Sequence, residues 1–300
     1  MHDKTVALGT ALWGWKVERK EAFKLLDQYY QSGYRYIDTA FNYPINDKAR
    51  DAHKAASYLS EWINTNNIDD LRIIYKIGSI SNKHVAHNNL SYTYLSEHAD
   101  IARGAFGKNL HCLMIHWDDS EHSSDIEATC NTLSDICSDK IVIGLSGIRS
   151  PALYTQFLKE EPKQIHIEFK FNIFTQKPLD YTYFNELSPH YWAYGISGSG
   201  LNLDKSYSSS SYVSLAREKG FHDKYLTGEK TRIIKQFIES SPLINSFYEL
   251  SLAYVLDTNR INGFIIAPSN IAQLNHTLSF IKNNSKENFS IPRSITSNEN

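Results

Sequence analysis

No run of about 18 apolar residues occurs in this 300-residue chain, and its amino end carries no apolar stretch of the signal-peptide kind. A membrane-spanning helix is therefore not expected. Nor does one charge dominate. Against 31 Lys and Arg stand 33 Asp and Glu, a net −2, too weak a field to recruit nucleic acid or an acidic membrane surface. Cysteine is scarce and odd in number: Cys112, Cys130 and Cys137 include no CxxC spacing. Cys130 and Cys137, seven apart on an expected helix, read as small buried residues. Missing too are GxGxxG and GxxxxGK[ST] after any strand, which weakens the nucleotide-binding open sheets. These absences leave a soluble, cytoplasmic protein, monomer or homodimer, with neither nucleic acid nor membrane as partner.

What is present is alternation. With 41% hydrophobic residues the chain can fill one large core. Strand-like runs at 5–8, 36–38, 71–77, 110–115, 140–145, 165–169, 191–194 and 263–267 are separated by helical spacing. The second helix is expected over 47–64, Ser124 and Asp125 are candidate caps for the fourth, and Gly33 and Pro151 mark a helix end and a helix start. Eight such alternations with short connections favour a closed (β/α)8 TIM barrel in one domain over 1–282. A polar tail, 283–300, is expected to be mobile.

Active sites of such barrels lie at the carboxyl ends of the strands. Those ends hold Asp38, Lys76, His116, Ser146, Glu168 or Lys170, and Tyr194, with Tyr43 five residues beyond Asp38. Each alone has a plain structural explanation, but their convergence at one mouth points to a shared site. A lysine beside Asp38 stays charged, and its cation near a phenol lowers the pKa of Tyr43. A neutral histidine beside them can fix a substrate oxygen. That set suits protonation of a developing alkoxide, as in carbonyl reduction, and needs a cofactor for the hydride.

These residues carry a resemblance to the aldo-keto reductases. Gly9-Thr10 with Trp13-Gly14, Asp38-Thr39-Ala40-x-x-Tyr43, Lys76 after Ile73-Ile74-Tyr75, and Leu113–Trp117 around His116 are similar to that family's segments. So are Ile143-Gly144-Leu145-Ser146 and Ala193-Tyr194-Gly195 with Gly198-x-Gly200-Leu201, and the match runs from about residue 5 to 281. The resemblance implies a catalytic set of Tyr43 as general acid, Lys76 lowering its pKa, Asp38 anchoring the lysine and His116 orienting the carbonyl. It implies NADPH, with NADH as the alternative, held by Thr10, Ala11, Ser146, Glu168, Tyr194, Gly195, Ser197, Gly198, Ser269 and Gln273. Tyr194 would stack on the nicotinamide, Ser146 would bond its carboxamide, and Gln273 with Asn275 would serve the adenosine end. Trp13, Trp15, Phe41 and Trp117 would wall a pocket for a small carbonyl substrate, with sugar-derived carbonyls among the candidates.

Two positions depart from the family pattern: Gly147 stands where most relatives carry Asn, and Glu168 where Gln is usual. The segment Ala267-Pro268-Ser269-Asn270 also lacks the Lys or Arg that would grip a 2′-phosphate. The competing expectation is a non-catalytic, reductase-like protein that binds cofactor as a sensor. A barrel lyase or isomerase is disfavoured, since no metal-ligand cluster or phosphate loop after the eighth strand is visible. Ser206–Ser211, with Tyr207 and Tyr212, reads as a surface loop, with a lid over the cofactor as the alternative.

Overall fold

Parallel pairing begins at the first strand and returns to it. In the computed structural model, which describes residues 4–82, 87–137, 140–161, 164–176, 182–198, 200–203 and 228–296, β1 (Thr5–Gly9) pairs with β2 (Tyr36–Ala40) on one side. The ring continues through β3 (Arg72–Ile77), β4 (Leu110–Asp118), β5 (Val142–Ile148), β6 (Ile165–Asn172) and β7 (His190–Tyr194). It reaches β8 (Gly263–Ile266), which pairs with β1 and closes an eight-stranded parallel barrel. The fold is a (β/α)8 TIM barrel.

Strands of such a barrel are covered on both faces, so they read as continuous apolar runs. The interior is filled by Ala7, Ile74, Cys112, Met114, Trp192 and Ile265. Trp192 is accommodated because β8 starts with glycine: a Cβ on Gly263 would lie 2.6 Å from the indole ring. Outside, helices lay apolar faces on the strands. In α1 (Arg19–Gln31) Ala22, Leu25, Leu26 and Tyr29 form one buried stripe, and the Tyr29 hydroxyl lies 2.8 Å from the carbonyl oxygens of both Val6 and Tyr36, which share its one proton. Burying each such leucine contributes about 1.5–3 kcal/mol. Further helices are α2 (Lys54–Asn66), α3 (Tyr92–Phe106), α4 (Ser123–Ile136), α5 (Pro151–Leu158), α6 (Gly228–Ser240), α7 (Phe247–Asp257) and α8 (Ile271–Asn284). Pro151 opens α5, and Gly33, at φ +89°, follows the end of α1, both as read from sequence.

Three local expectations change. α2 starts at Lys54, not near residue 47, because Asp47 and His53 adopt positive φ (60° and 69°) on either side of a short 3₁₀ turn, Ala49–Asp51. In α4, Ser124 and Asp125 lie inside the first turn instead of capping it, since His122 occupies the cap position. The described part of the expected tail after α8, residues 285–296, is docked. A short helix α9 (Arg293–Thr296) buries Ile295, Phe289 packs on Phe280, and Gln176 donates to the Thr296 carbonyl. The three cysteines are buried and free. Among the described residues no helix is long and apolar enough to cross a membrane.

Candidate active site at the carboxyl end of the barrel

The barrel register sets the site. Ala40 on β2 lies opposite Lys76 on β3, and His116, Ser146 and Glu168 form one row across β4, β5 and β6. The Lys76 ammonium, about 1% exposed, pairs with Asp38 Oδ2 and lies 3.1 Å from each oxygen of Glu168. One cation thus serves two carboxylates in a dry interior. Burial, then the neighbouring Asp38, pushes the Glu168 carboxyl up to about 8, despite the pull of Lys76. Burial also raises Asp38 above its ordinary range against the opposing Lys76 charge. Burial disfavours the Lys76 charge as well, but Asp38, Glu168 and Tyr43 outweigh it and hold the ammonium well above the usual lysine value.

Tyr43 follows on the β2 loop, buried, with its ring centroid 5.5 Å from Lys76 Nζ and its ring edge-on to His116 at 5.6 Å. Its pKa is shifted upward, first by burial. Lys76 acts in the lowering direction, but Asp38, Glu168 and Tyr194 add to the rise. This corrects the expectation of a lowered phenol: the two carboxylates blunt the cation, and desolvation wins. At neutral pH Tyr43 therefore carries a proton to give. Burial, then Lys76, keeps His116 well below the usual histidine range, so its ring is neutral. Its Nδ1 lies 3.1 Å from Asn42 Oδ1, while the Asn42 amide nitrogen donates to Ser79 Oγ (3.0 Å) and to the Ser81 carbonyl (2.9 Å).

The expected aromatic wall is only partly assembled. Trp117 is half-buried, with its ring 4.2 Å from that of His116. Trp13 is sealed in the core, and its indole N–H has no partner among the described residues. Phe41 packs between His53 and His98, with ring centroids 3.8 and 4.0 Å away. Trp15 is half-buried under Lys16, whose Nζ stands 5.0 Å above the ring. Among the described residues no group of three or more His, Cys, Asp or Glu could hold a metal ion.

Residues 5–295 match the family model described as the Aldo/keto reductase family. The chain belongs to the aldo/keto reductase family. Two solved structures share its fold. The aldo-keto reductase AKR11C1 from Bacillus halodurans, in its holo form, is 16% identical over 94% of this chain and 88% of its own, with a TM-score of 0.69. The glycerol dehydrogenase AKR11B4 from Gluconobacter oxydans is 16% identical over 92% of this chain and 85% of its own, at 0.68. No curated protein sequence matches the chain. The family and fold support an oxidoreductase of the carbonyl-reducing, nicotinamide-dependent kind in general.

Within this aldo/keto reductase, the residues expected at the nicotinamide end fit such a group in part. Ser146 is buried, yet among the described residues its hydroxyl makes no hydrogen bond and is not one of the sealed, unpartnered polar atoms. Tyr194 stands half-buried at the end of β7, close enough to influence the charge of Tyr43. The turn beyond it is tight: the Gly198 amide donates to the Gly195 carbonyl at 3.1 Å, and the Gly200 amide to Ser197 Oγ at 3.1 Å. Other expected contacts are already engaged within the chain. Glu168 faces Lys76, and the Thr10 hydroxyl donates to Thr39 Oγ1 at 2.7 Å. Gln273 Oε1 accepts from the amide and hydroxyl of Ser269 at the start of α8, where Asn270 is the cap. Ala11 sits half-buried in the turn after β1, and Lys170, the alternative to Glu168, lies opposite Tyr194. Gly147 has a steric reason: at φ +65°, a Cβ there would lie 2.4 Å from Trp117 Cδ1. The suggested lid, with Tyr207 and Tyr212, falls outside the described residues. Sequence reading missed Asn42, although it sits inside the Asp38–Tyr43 segment and touches His116.

Proposed function

We propose that this chain is an NAD(P)H-dependent carbonyl reductase that converts an aldehyde or ketone to an alcohol. The observation that carries it is the meeting of Tyr43, Lys76, Asp38 and His116 at one barrel mouth. Tyr43, protonated at neutral pH, donates its proton to the substrate oxygen as negative charge develops there. Lys76, anchored by Asp38, stabilises the phenolate left behind. Neutral His116 positions the substrate beside Tyr43. A reduced nicotinamide, held by Ser146, Tyr194 and the Gly195–Gly200 turn, would supply the hydride.

NADPH and NADH are both to be tested: the family resemblance puts NADPH first, whereas the lack of Lys or Arg in Ala267-Pro268-Ser269-Asn270 to hold its 2′-phosphate favours NADH. Purified protein is expected to oxidise one of them in the presence of a panel of aldehydes and ketones, followed by loss of absorbance. Tyr43→Phe should lower kcat/KM on the order of 10²–10⁴-fold. Undiminished turnover in that variant would remove Tyr43 as the acid.

A second reading, a non-catalytic cofactor-binding protein, is favoured by Glu168 being held on Lys76 and by the missing side chain at Gly147. Quenching of tryptophan fluorescence by NADPH or NADH, without turnover of any carbonyl, would support that reading over the first.

A further inference from the structure

In the ring of strands β6 runs between β5 and β7. Ser146 on β5 lies opposite Glu168, and Tyr194 on β7 lies opposite Lys170. Neighbouring strands stand about 4.8 Å apart, so a flat ring held by Ser146 on one side and Tyr194 on the other must cross the end of β6. Under that crossing sits Glu168, 2% exposed, with both carboxyl oxygens 3.1 Å from Lys76 Nζ. The charges that face it come from two strands: Lys76 on β3 and Asp38 on β2, which share the one ammonium. From β4, burial keeps the Cys112 thiol protonated and His116 neutral, and Tyr43 beside them keeps its proton. Lys170, on β6 itself, runs its stem along Gly195, 3.5 Å from where a Cβ there would stand. With both carboxylates ionised the dry set of Asp38, Lys76 and Glu168 carries a net −1; with one proton added it is neutral. Burial, then Asp38, lifts the Glu168 carboxyl to about 8, so this change of charge falls within reach of neutral pH.

A nicotinamide ring is a cation when oxidised and neutral when reduced, and the rest of the cofactor is the same in both forms. Charge placed under the ring therefore acts on one redox form only. We propose that Glu168 makes the site select the redox state of its cofactor: its carboxylate under the ring tightens the oxidised form, and binding of that form releases a proton from Glu168 to solvent. The glutamine usual in the family at this position is neutral at every pH and can do neither. The inference rests on the reductase reading above, which puts a nicotinamide against Ser146 and Tyr194.

Isothermal titration calorimetry of the full-length protein with NADP⁺ against NADPH, and with NAD⁺ against NADH, tests it without turnover. Pyrophosphate, riboses and adenine are common to each pair, so the ratio of the two dissociation constants isolates the ring. Between pH 6 and pH 8 the oxidised form should tighten relative to the reduced form by up to about ten-fold per pH unit, the limit for one linked proton. At pH 7, titrations in buffers of low and high ionisation enthalpy should show proton release with the oxidised form and none with the reduced. In Glu168→Gln the ratio should lose its pH dependence and the proton release should vanish. A pH-independent ratio in the unaltered protein overturns the proposal. A pH dependence that survives Glu168→Gln assigns the proton to another group and overturns it as well. The ratio and the proton release need no variant, so the proposal can fail even where Glu168→Gln does not fold. Binding of neither pair defeats the reductase reading and this inference together, whereas binding of both redox forms at a constant ratio defeats the inference alone.

Discussion

Asp38 and Glu168 compete for one ammonium, and the competition sets the acidity of everything around it. Glu168, pushed up to about 8 by burial and by Asp38, gives up its proton at a higher pH than a surface glutamate does. Glu168→Gln keeps the shape and removes the titration. Tyr43 then loses one of the neighbours that raise its pKa, so the alkaline limb of the kcat/KM profile for reduction should move to lower pH. The stability consequence has a definite sign. A carboxyl raised in the fold contributes stability that is full below its ordinary value of 4.5 and is lost as pH rises towards 8. The urea midpoint of Glu168→Gln relative to the unaltered protein should therefore improve between pH 5 and pH 9; a constant difference would show that Glu168 does not titrate in that window. The Asp38–Lys76 pairing was readable from adjacent strand ends. Glu168 was readable as a site residue, but its pairing with Lys76 was not, because a carboxylate's partner depends on which cation waits across the ring, and spacing along the chain does not encode that.

At the level of elements, the ends of β4 and β5 are built as a pair. Trp117 sits at φ +70°, held through its carbonyl by Asn88 at 2.9 Å, and Gly147 opposite leaves room for its ring. Gly147→Ala must both strain a left-handed backbone, by about 1–2 kcal/mol, and displace the ring. It should lower the melting temperature and raise KM, with a smaller change in kcat, as read from thermal melts and steady-state kinetics. From sequence Gly147 was visible only as a departure from the family pattern; its cause is a contact with a side chain thirty residues away. Strand and helix positions were legible because apolar periodicity is local. The early start expected for α2 failed because positive φ at Asp47 and His53 leaves no mark in that periodicity.

Across the whole molecule, the end of the barrel away from the tetrad holds three imidazoles. His166 ring contacts join it to His111 at 5.4 Å and to His190 at 5.1 Å, and its Nδ1 accepts from Trp192 Nε1 at 3.2 Å. Burial lowers all three: His111 falls to about 4, helped by Arg72 and His190, and His166 lies well below the ordinary 6.5. Groups lowered in the fold contribute stability that is full above 6.5 and is lost as pH falls through that value towards the folded one. The melting temperature should therefore drop between pH 7.5 and pH 5, and His111→Phe should flatten that drop. The closed barrel was legible as eight alternations, but this cluster was not, since His111, His166 and His190 lie on three different strands and meet only after closure.

Closure itself has a consequence in time. The seam is made by β1 and β8, whose partners Thr5 and Gly263 stand at opposite ends of the chain. Lys4 fastens the same seam, donating at 2.7 Å to the carbonyls of Thr258 and Ile261. As the polypeptide emerges during synthesis, seven strands are complete while the first and seventh still present unpaired edges, the surfaces most prone to joining another molecule. The last strand to be made is the one that removes them.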